Sequence, residues 1–129
     1  MLVTWDFLIN YSREIPLPSD VRSQESIDKY TQEFKTKTSE EKNEIIYKRY
    51  LRNNLNLHKN KYPYNLENGI EHYVLWVKPE TQHLFTDDLI YIYIKIKTEL
   101  MGFKEFVYFE NHNDSKSILN IKHYQVFVR

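Results

Sequence analysis

Apolar positions recur at helical spacing in residues 1–53 and alternate, or run together, in residues 70–129. Thr4 caps a short predicted helix carrying Trp5, Leu8 and Ile9, which stops before Pro16 and Pro18. Ser19-Asp20 restarts the chain, and Ile27, Tyr30 and Phe34 share one helical face. A third helix starts near Ser39. Lys42 rather than Glu stands three residues on, so no full capping box is expected there. Glu40 and Glu41 suit the positive end of the helix, Ile45, Ile46, Arg49 and Tyr50 follow at helical spacing, and Asn53-Asn54 ends it.

Residues 54–69 read as a polar, aromatic connecting loop, because Pro63 and the Asn68-Gly69 turn signal argue against regular structure through it. A loop of that length is often functional, and equally often a packed crossover, here fixed by Tyr62 and Tyr64. Ile70 to Lys78, Phe106 to Glu110 and Ile121 to Arg129 read as strands rich in β-branched and aromatic residues. Leu89 to Met101 carries two signals. Ile90, Ile92, Ile94 and Ile96 alternate as in a strand, whereas Thr86-Asp87-Asp88 ahead and Gly102 behind resemble helix caps. Length favours a helix, with Leu89, Ile92, Tyr93, Ile96 and Leu100 on its apolar face. The fold class expected is α+β: N-terminal helices packed on a small antiparallel sheet with one crossing helix, in a single domain over 1–129.

Composition adds limits rather than an activity. The chain has 129 residues, 41% of them hydrophobic, with eleven Tyr and seven Phe, too apolar for a disordered chain. It has no cysteine, which excludes disulfides, thiolate-bound zinc and cysteine nucleophiles. Eighteen basic residues balance eighteen acidic ones. The chain therefore lacks the field that drives binding to a phosphate backbone, and no nucleic-acid partner is expected. Two glycines leave no room for a P-loop or a GxGxxG turn. With no signal-like start and no long apolar run, no membrane partner is expected and the location is read as cytoplasmic. Abundant Lys, Asn, Ile and Tyr suggest an AT-rich coding genome, as in some protists and large viruses.

The candidate chemistry lies in an internal echo. Ile70-Glu-His-Tyr-Val-Leu-Trp-Val and Ile121-Lys-His-Tyr-Gln-Val-Phe-Val share their Ile, His, Tyr and closing Val. Alternate strand residues share a face, so His72 stands with Val74 and Trp76, and His123 with Gln125 and Phe127. With the strands in one sheet, the two imidazoles meet on a common side. They would there act as acid, base or nucleophile, or serve only as hydrogen-bonding core residues. Neither histidine has the hydroxyl residue two positions on that two-histidine phosphodiesterases use. Asn111-His112-Asn113-Asp114-Ser115-Lys116-Ser117 is the other polar concentration, suited to a phosphate or sugar, or to a hydrated turn. His58 and His83 are expected to meet solvent. A metal set of His72, His123 and Glu110 or Glu71 lacks any HExxH-like spacing, so neither metal nor cofactor is called for.

Asn60-Lys-Tyr-Pro-Tyr64 followed by Ile70-Glu-His-Tyr-Val-Leu-Trp76 resembles a segment of the N-acetylglucosamine-induced protein family, a domain of unknown function. Tyr108-Phe-Glu-Asn111, Lys116-Ser-Ile118 and His123-Tyr-Gln-Val126 resemble its closing pattern, with Gln125 where a second His is expected. Pro16-Leu-Pro-Ser19 and Tyr30 resemble an earlier stretch of the family, with Glu14 in place of its arginine. A more distant likeness is to the closing half of histidine-triad (HIT) domains. It implies His123 as a nucleophile attacking phosphorus, Gln125 on a phosphate oxygen, and Asn111 and Ser117 binding substrate; the first His of the triad would fall at Ile121.

The expected function is thus a phosphate- or nucleotide-sugar-binding domain, with a histidine-dependent phosphoester hydrolase or transferase as its catalytic form. His123 and His72 are the expected catalytic residues, and Gln125, Asn111, His112, Lys116, Ser117 and Tyr64 the binding ones. The alternative is a non-catalytic protein-interaction module whose tyrosine-rich surface meets a protein partner.

Overall fold

A computed structural model describes residues 1–11, 14–111 and 121–129. Thr4 caps α1 (Trp5–Asn10) by accepting the Phe7 N–H. Residues 18–22 do not start a helix: Val21 and Arg22 instead bridge the crossover at Asn65 and Tyr64. Ser23 therefore caps α2 (Gln24–Phe34), four residues later than Ser19-Asp20 suggests. The capping box expected to be absent is present one residue earlier. Thr38 accepts the Glu41 N–H at 3.1 Å, and the Glu41 carboxylate returns the bond to the Thr38 N–H at 3.1 Å, opening α3 (Ser39–Tyr50). Replacing Thr38 by Ala should cost about 1 kcal/mol, read from chemical denaturation, and Thr38→Ser should restore most of it.

The segment 54–69 is not all loop. Its first part, Leu55–Lys59, is an edge strand, β1, whose short Leu-Asn-Leu alternation is masked in the sequence by the turn residues that follow. The rest is the packed crossover. Its backbone is held by Val3, Val21 and Arg22, and it ends at Gly69, whose φ of +90° only glycine adopts without strain. β2 (Glu71–Val77), β3 (Phe106–Phe109) and β4 (His123–Val128) complete an antiparallel sheet of order β1-β2-β4-β3.

Between β2 and β3 runs α4 (Asp87–Leu100), capped by Thr86 as expected. It closes with Gly102 N–H on the Glu99 carbonyl and Phe103 N–H on the Thr98 carbonyl, a Schellman ending that uses the glycine's φ of +94°. The face it turns inward differs from expectation. Ile90, Ile94 and Thr98 are buried, whereas Leu89, Ile92, Ile96 and Leu100 are exposed.

The sheet is covered on both sides, which is why all six residues of the inner strand β4 are buried. Leu75, Val77, Tyr124, Val126 and Val128 face α4. The opposite face carries His72, Val74, Trp76, His123, Gln125 and Phe127 beneath the N-terminal helices and the crossover. Among the described residues no helix is long and apolar enough to cross a membrane.

Candidate functional site

The β2–β4 register sets His72 beside Phe127, Val74 beside Gln125 and Trp76 beside His123. Residues directly paired across strands point to the same face, so both imidazoles lie on one side, with Gln125 between them. They differ in depth. His72 is 2% exposed, its ring lying on Phe127 at 4.3 Å and against the edge of Tyr64 at 4.6 Å. It does not line a cavity. Of the two imidazoles expected at one cleft, His123 lines the cavity between the helices and the sheet and His72 does not, because the crossover closes over it.

Its hydrogen bonds fix the chemistry of His72. The Tyr64 N–H donates to Nδ1 at 3.2 Å, which places the ring proton on Nε2, and Nε2–H donates to Gln125 Oε1 at 2.6 Å. Burial holds the pKa at about 3, against the pull of the Gln125 bond and with further lowering by Arg22. His72 is thus a neutral donor near pH 7. Its effect is to anchor one end of the Gln125 amide and turn the other, an NH₂ donor, toward the cavity that Gln125 lines.

That cavity lies between α2, α3 and the sheet. Trp76, His123, Gln125 and Asn111 form its floor and end wall, while Tyr30 and Tyr50 stand on the helical side. Tyr50 stacks on Trp76 with ring centres 5.4 Å apart, and Trp76 leans on His123 at 4.7 Å. The His123 Nδ1–H donates to the Ile121 carbonyl at 2.8 Å.

Four cations edge the cavity. Lys59 is paired with Glu71, and Arg49 and Lys61 share Glu33. Burial of Glu33 is outweighed by the nearby Tyr62 hydroxyl and by the bonds from Lys61 and Arg49, which hold its carboxyl down at about 2. Arg22 donates Nε to the Tyr62 carbonyl and lies over the Tyr64 ring, and among the described residues no carboxylate pairs with it. Among the described residues Arg22, Arg49 and Lys61 are thus set against a single paired carboxylate, Glu33.

Among the described residues three buried side-chain atoms lack a hydrogen bond, Tyr30 Oη, Tyr62 Oη and Asn111 Oδ1, and all three residues line the cavity. Asn111 is 3% exposed and spends its Nδ2 on Tyr64 Oη at 3.2 Å. Tyr64, expected to bind ligand, supports Asn111 and His72 and does not line the cavity. His112, Lys116 and Ser117 lie outside the described residues. Among the described residues no group of three His, Asp or Glu side chains is placed to hold a metal. The sequence reading missed Arg22, Tyr30, Arg49, Tyr50 and Lys61, which reach the site only because helices and crossover pack over the histidine face. His58, expected to meet only solvent, is exposed but rests on Tyr50 at 5.0 Å.

The cavity holds about 60 Å³, enough for a few water molecules at roughly 15 Å³ each. That is room for a phosphate-sized group.

A family model described as a protein of unknown function, DUF3605, matches residues 24–129. A crystal structure of HTC1 has a similar fold, with a TM-score of 0.62 and 19% identity over 97% of this chain and 84% of that one. At that identity the likeness is one of fold. No curated protein matches the sequence.

Proposed function

We propose, for a chain that belongs to the DUF3605 family, that the cavity beneath α2 and α3 binds the phosphate group of a small phosphorylated ligand. The observation that carries this reading is Arg22, Arg49 and Lys61 set, among the described residues, against one carboxylate at the rim of a cavity that Gln125 also lines. A cation without a carboxylate partner beside a half-enclosed wall favours an anion, since few water molecules compete for it there. The phosphate of the expected nucleotide-sugar is the part this reading assigns to the cavity, with the remainder of a larger ligand running along Lys59 and Lys61.

The likeness to the N-acetylglucosamine-induced protein family supports the same place, because its matching segments supply Asn60, Trp76, Asn111 and His123 to the cavity wall. The histidine-triad likeness supports Gln125 as the phosphate partner. It also leaves His123 as the acid, base or nucleophile of any catalytic form, since His72 is committed to Gln125. The reading keeps the cytoplasmic location expected from the sequence.

Titration with inorganic phosphate and with a hexosamine phosphate, followed by amide chemical shifts, should move signals from Arg22, Trp76, Asn111 and Gln125. Arg22→Met should weaken binding by about 10- to 100-fold, the loss of one charged hydrogen-bond partner. No shift with either ligand would end the reading.

A second reading, the protein-interaction module, is favoured by α4. Leu89, Ile92, Ile96 and Leu100, 46–79% exposed, form an apolar stripe along its outer side.

A further inference from the structure

We infer that His72 is a positioning residue for the proposed phosphate site: it fixes the Gln125 amide so that a bound anion meets a hydrogen-bond donor there and no acceptor. The inference rests on that reading and begins at a group that cannot turn, the Tyr64 backbone N–H, which donates to His72 Nδ1 at 3.2 Å. A ring nitrogen that accepts carries no proton, so the ring proton is on Nε2. Gln125 Oε1 stands 2.6 Å from Nε2 and accepts from it. Asn60 Nδ2 is also close, at 3.2 Å. Asn60 Oδ1, however, is held by the Tyr62 N–H at 2.7 Å, so Asn60 brings His72 a second donor and no acceptor. Turning the Gln125 amide would gather three donors with nothing to receive them.

The other end of the amide is open. Gln125 is 3% exposed, and among the described residues its Nε2 has no partner. Nor is Nε2 sealed: the buried side-chain atoms without a partner are Tyr30 Oη, Tyr62 Oη and Asn111 Oδ1. The accessible space that Gln125 borders is the cavity. Arg22 is fixed in the same manner, with Nε on the Tyr62 carbonyl at 3.2 Å and, among the described residues, no carboxylate on its guanidinium. Donors already held in place bind the oxygens of an anion without a further ordering cost. A glutamine free to turn would present Oε1 to those oxygens part of the time, and His72 removes that orientation.

Two measurements on the full chain test this. Nitrogen NMR spectra of the unaltered protein at neutral pH should show the His72 proton on Nε2, and the Gln125 NH₂ signals should move when inorganic phosphate is added. A proton on Nδ1, or NH₂ signals that stay in place while phosphate binds, would overturn the inference. Calorimetric titration with phosphate then compares the unaltered chain with Gln125→Met, His72→Phe and the double variant, each checked for folding by thermal melting. Gln125→Met should weaken binding about tenfold and His72→Phe about threefold, and His72→Phe should cost nothing further once Gln125 is Met. An equal loss from His72→Phe in both backgrounds would mean that it acts through the fold and not through Gln125, which overturns the positioning role and leaves the anion site standing. No binding to the unaltered chain would remove the site and the inference with it. Because the spectra use the unaltered protein, they decide the matter even where a variant fails to fold.

Discussion

Lowering the pH from 7 to 5 should cost the fold about 2 kcal/mol through His72 alone, and about 3 kcal/mol by pH 4. The folded-state pKa of this imidazole is held at about 3 by burial, whereas an unfolded chain titrates near its ordinary 6.5. Between those values the unfolded state binds a proton that the folded state refuses. Stability therefore rises with pH, is fully present above about 6.5, and is lost as pH falls toward 3. Glu33, held at about 2, makes its own loss only below the ordinary carboxylate range, so the interval from 6.5 to about 4.5 belongs to histidines. Burial also lowers the pKa of His58, which adds a loss of the same sign. Subtracting the profile of a His72→Gln variant isolates His72. Urea unfolding at a series of pH values measures the slope, and the His72 ring resonances check it directly. A ring that titrates near its ordinary value in the folded protein would show that it is neither sealed nor committed to Gln125.

The depth of His72 marks where the sequence stops being informative. The alternation in Ile70–Val77 and Ile121–Val128 placed both histidines on one face, and the pairing of Trp76 with His123 agrees with it. Strand phase says which side a residue faces. It does not say what covers that side. Tyr64 closes over His72, against its cross-strand neighbour Phe127, because the crossover 60–69 is pinned from outside by Val3, Val21 and Arg22, contacts between positions far apart in the chain. The cationic rim has the same origin. Arg22 precedes α2, Arg49 lies near the end of α3, and Lys61 sits in the crossover, so no local motif joins them. Local signals served better where they were complete: Thr4, Thr86 and Gly102 mark real helix ends. At α3 the cap was legible too, but at Thr38 with Glu41 and not at Ser39, a shift of one residue that hides the box.

Ile94→Ala should cost about 3 kcal/mol, while Ile92→Ala should change stability by less than about 0.5 kcal/mol. The sequence offers four isoleucines at every second position, 90 to 96. In a strand they would share one face. In α4 they separate into two pairs four residues apart: Ile90 and Ile94 inside at 2% and 0% exposure, Ile92 and Ile96 outside at 49% and 52%. Thr98, on the inner line, is tolerated because its hydroxyl donates to the Ile94 carbonyl at 2.8 Å. Both sides of the helix are apolar, so periodicity cannot choose between them; the choice falls to the sheet, whose Leu75, Val126 and Val128 leave space that Ile90 and Ile94 fill. Unfolding of the two alanine variants at several protein concentrations reads both outcomes. A near-neutral Ile92→Ala with a concentration-independent midpoint describes an outer stripe that remains in water in the isolated chain. A cost at Ile92 approaching that at Ile94, with a midpoint that rises with concentration, means that a second copy covers the stripe in solution, and it would shift the balance from the phosphate site to the interaction module.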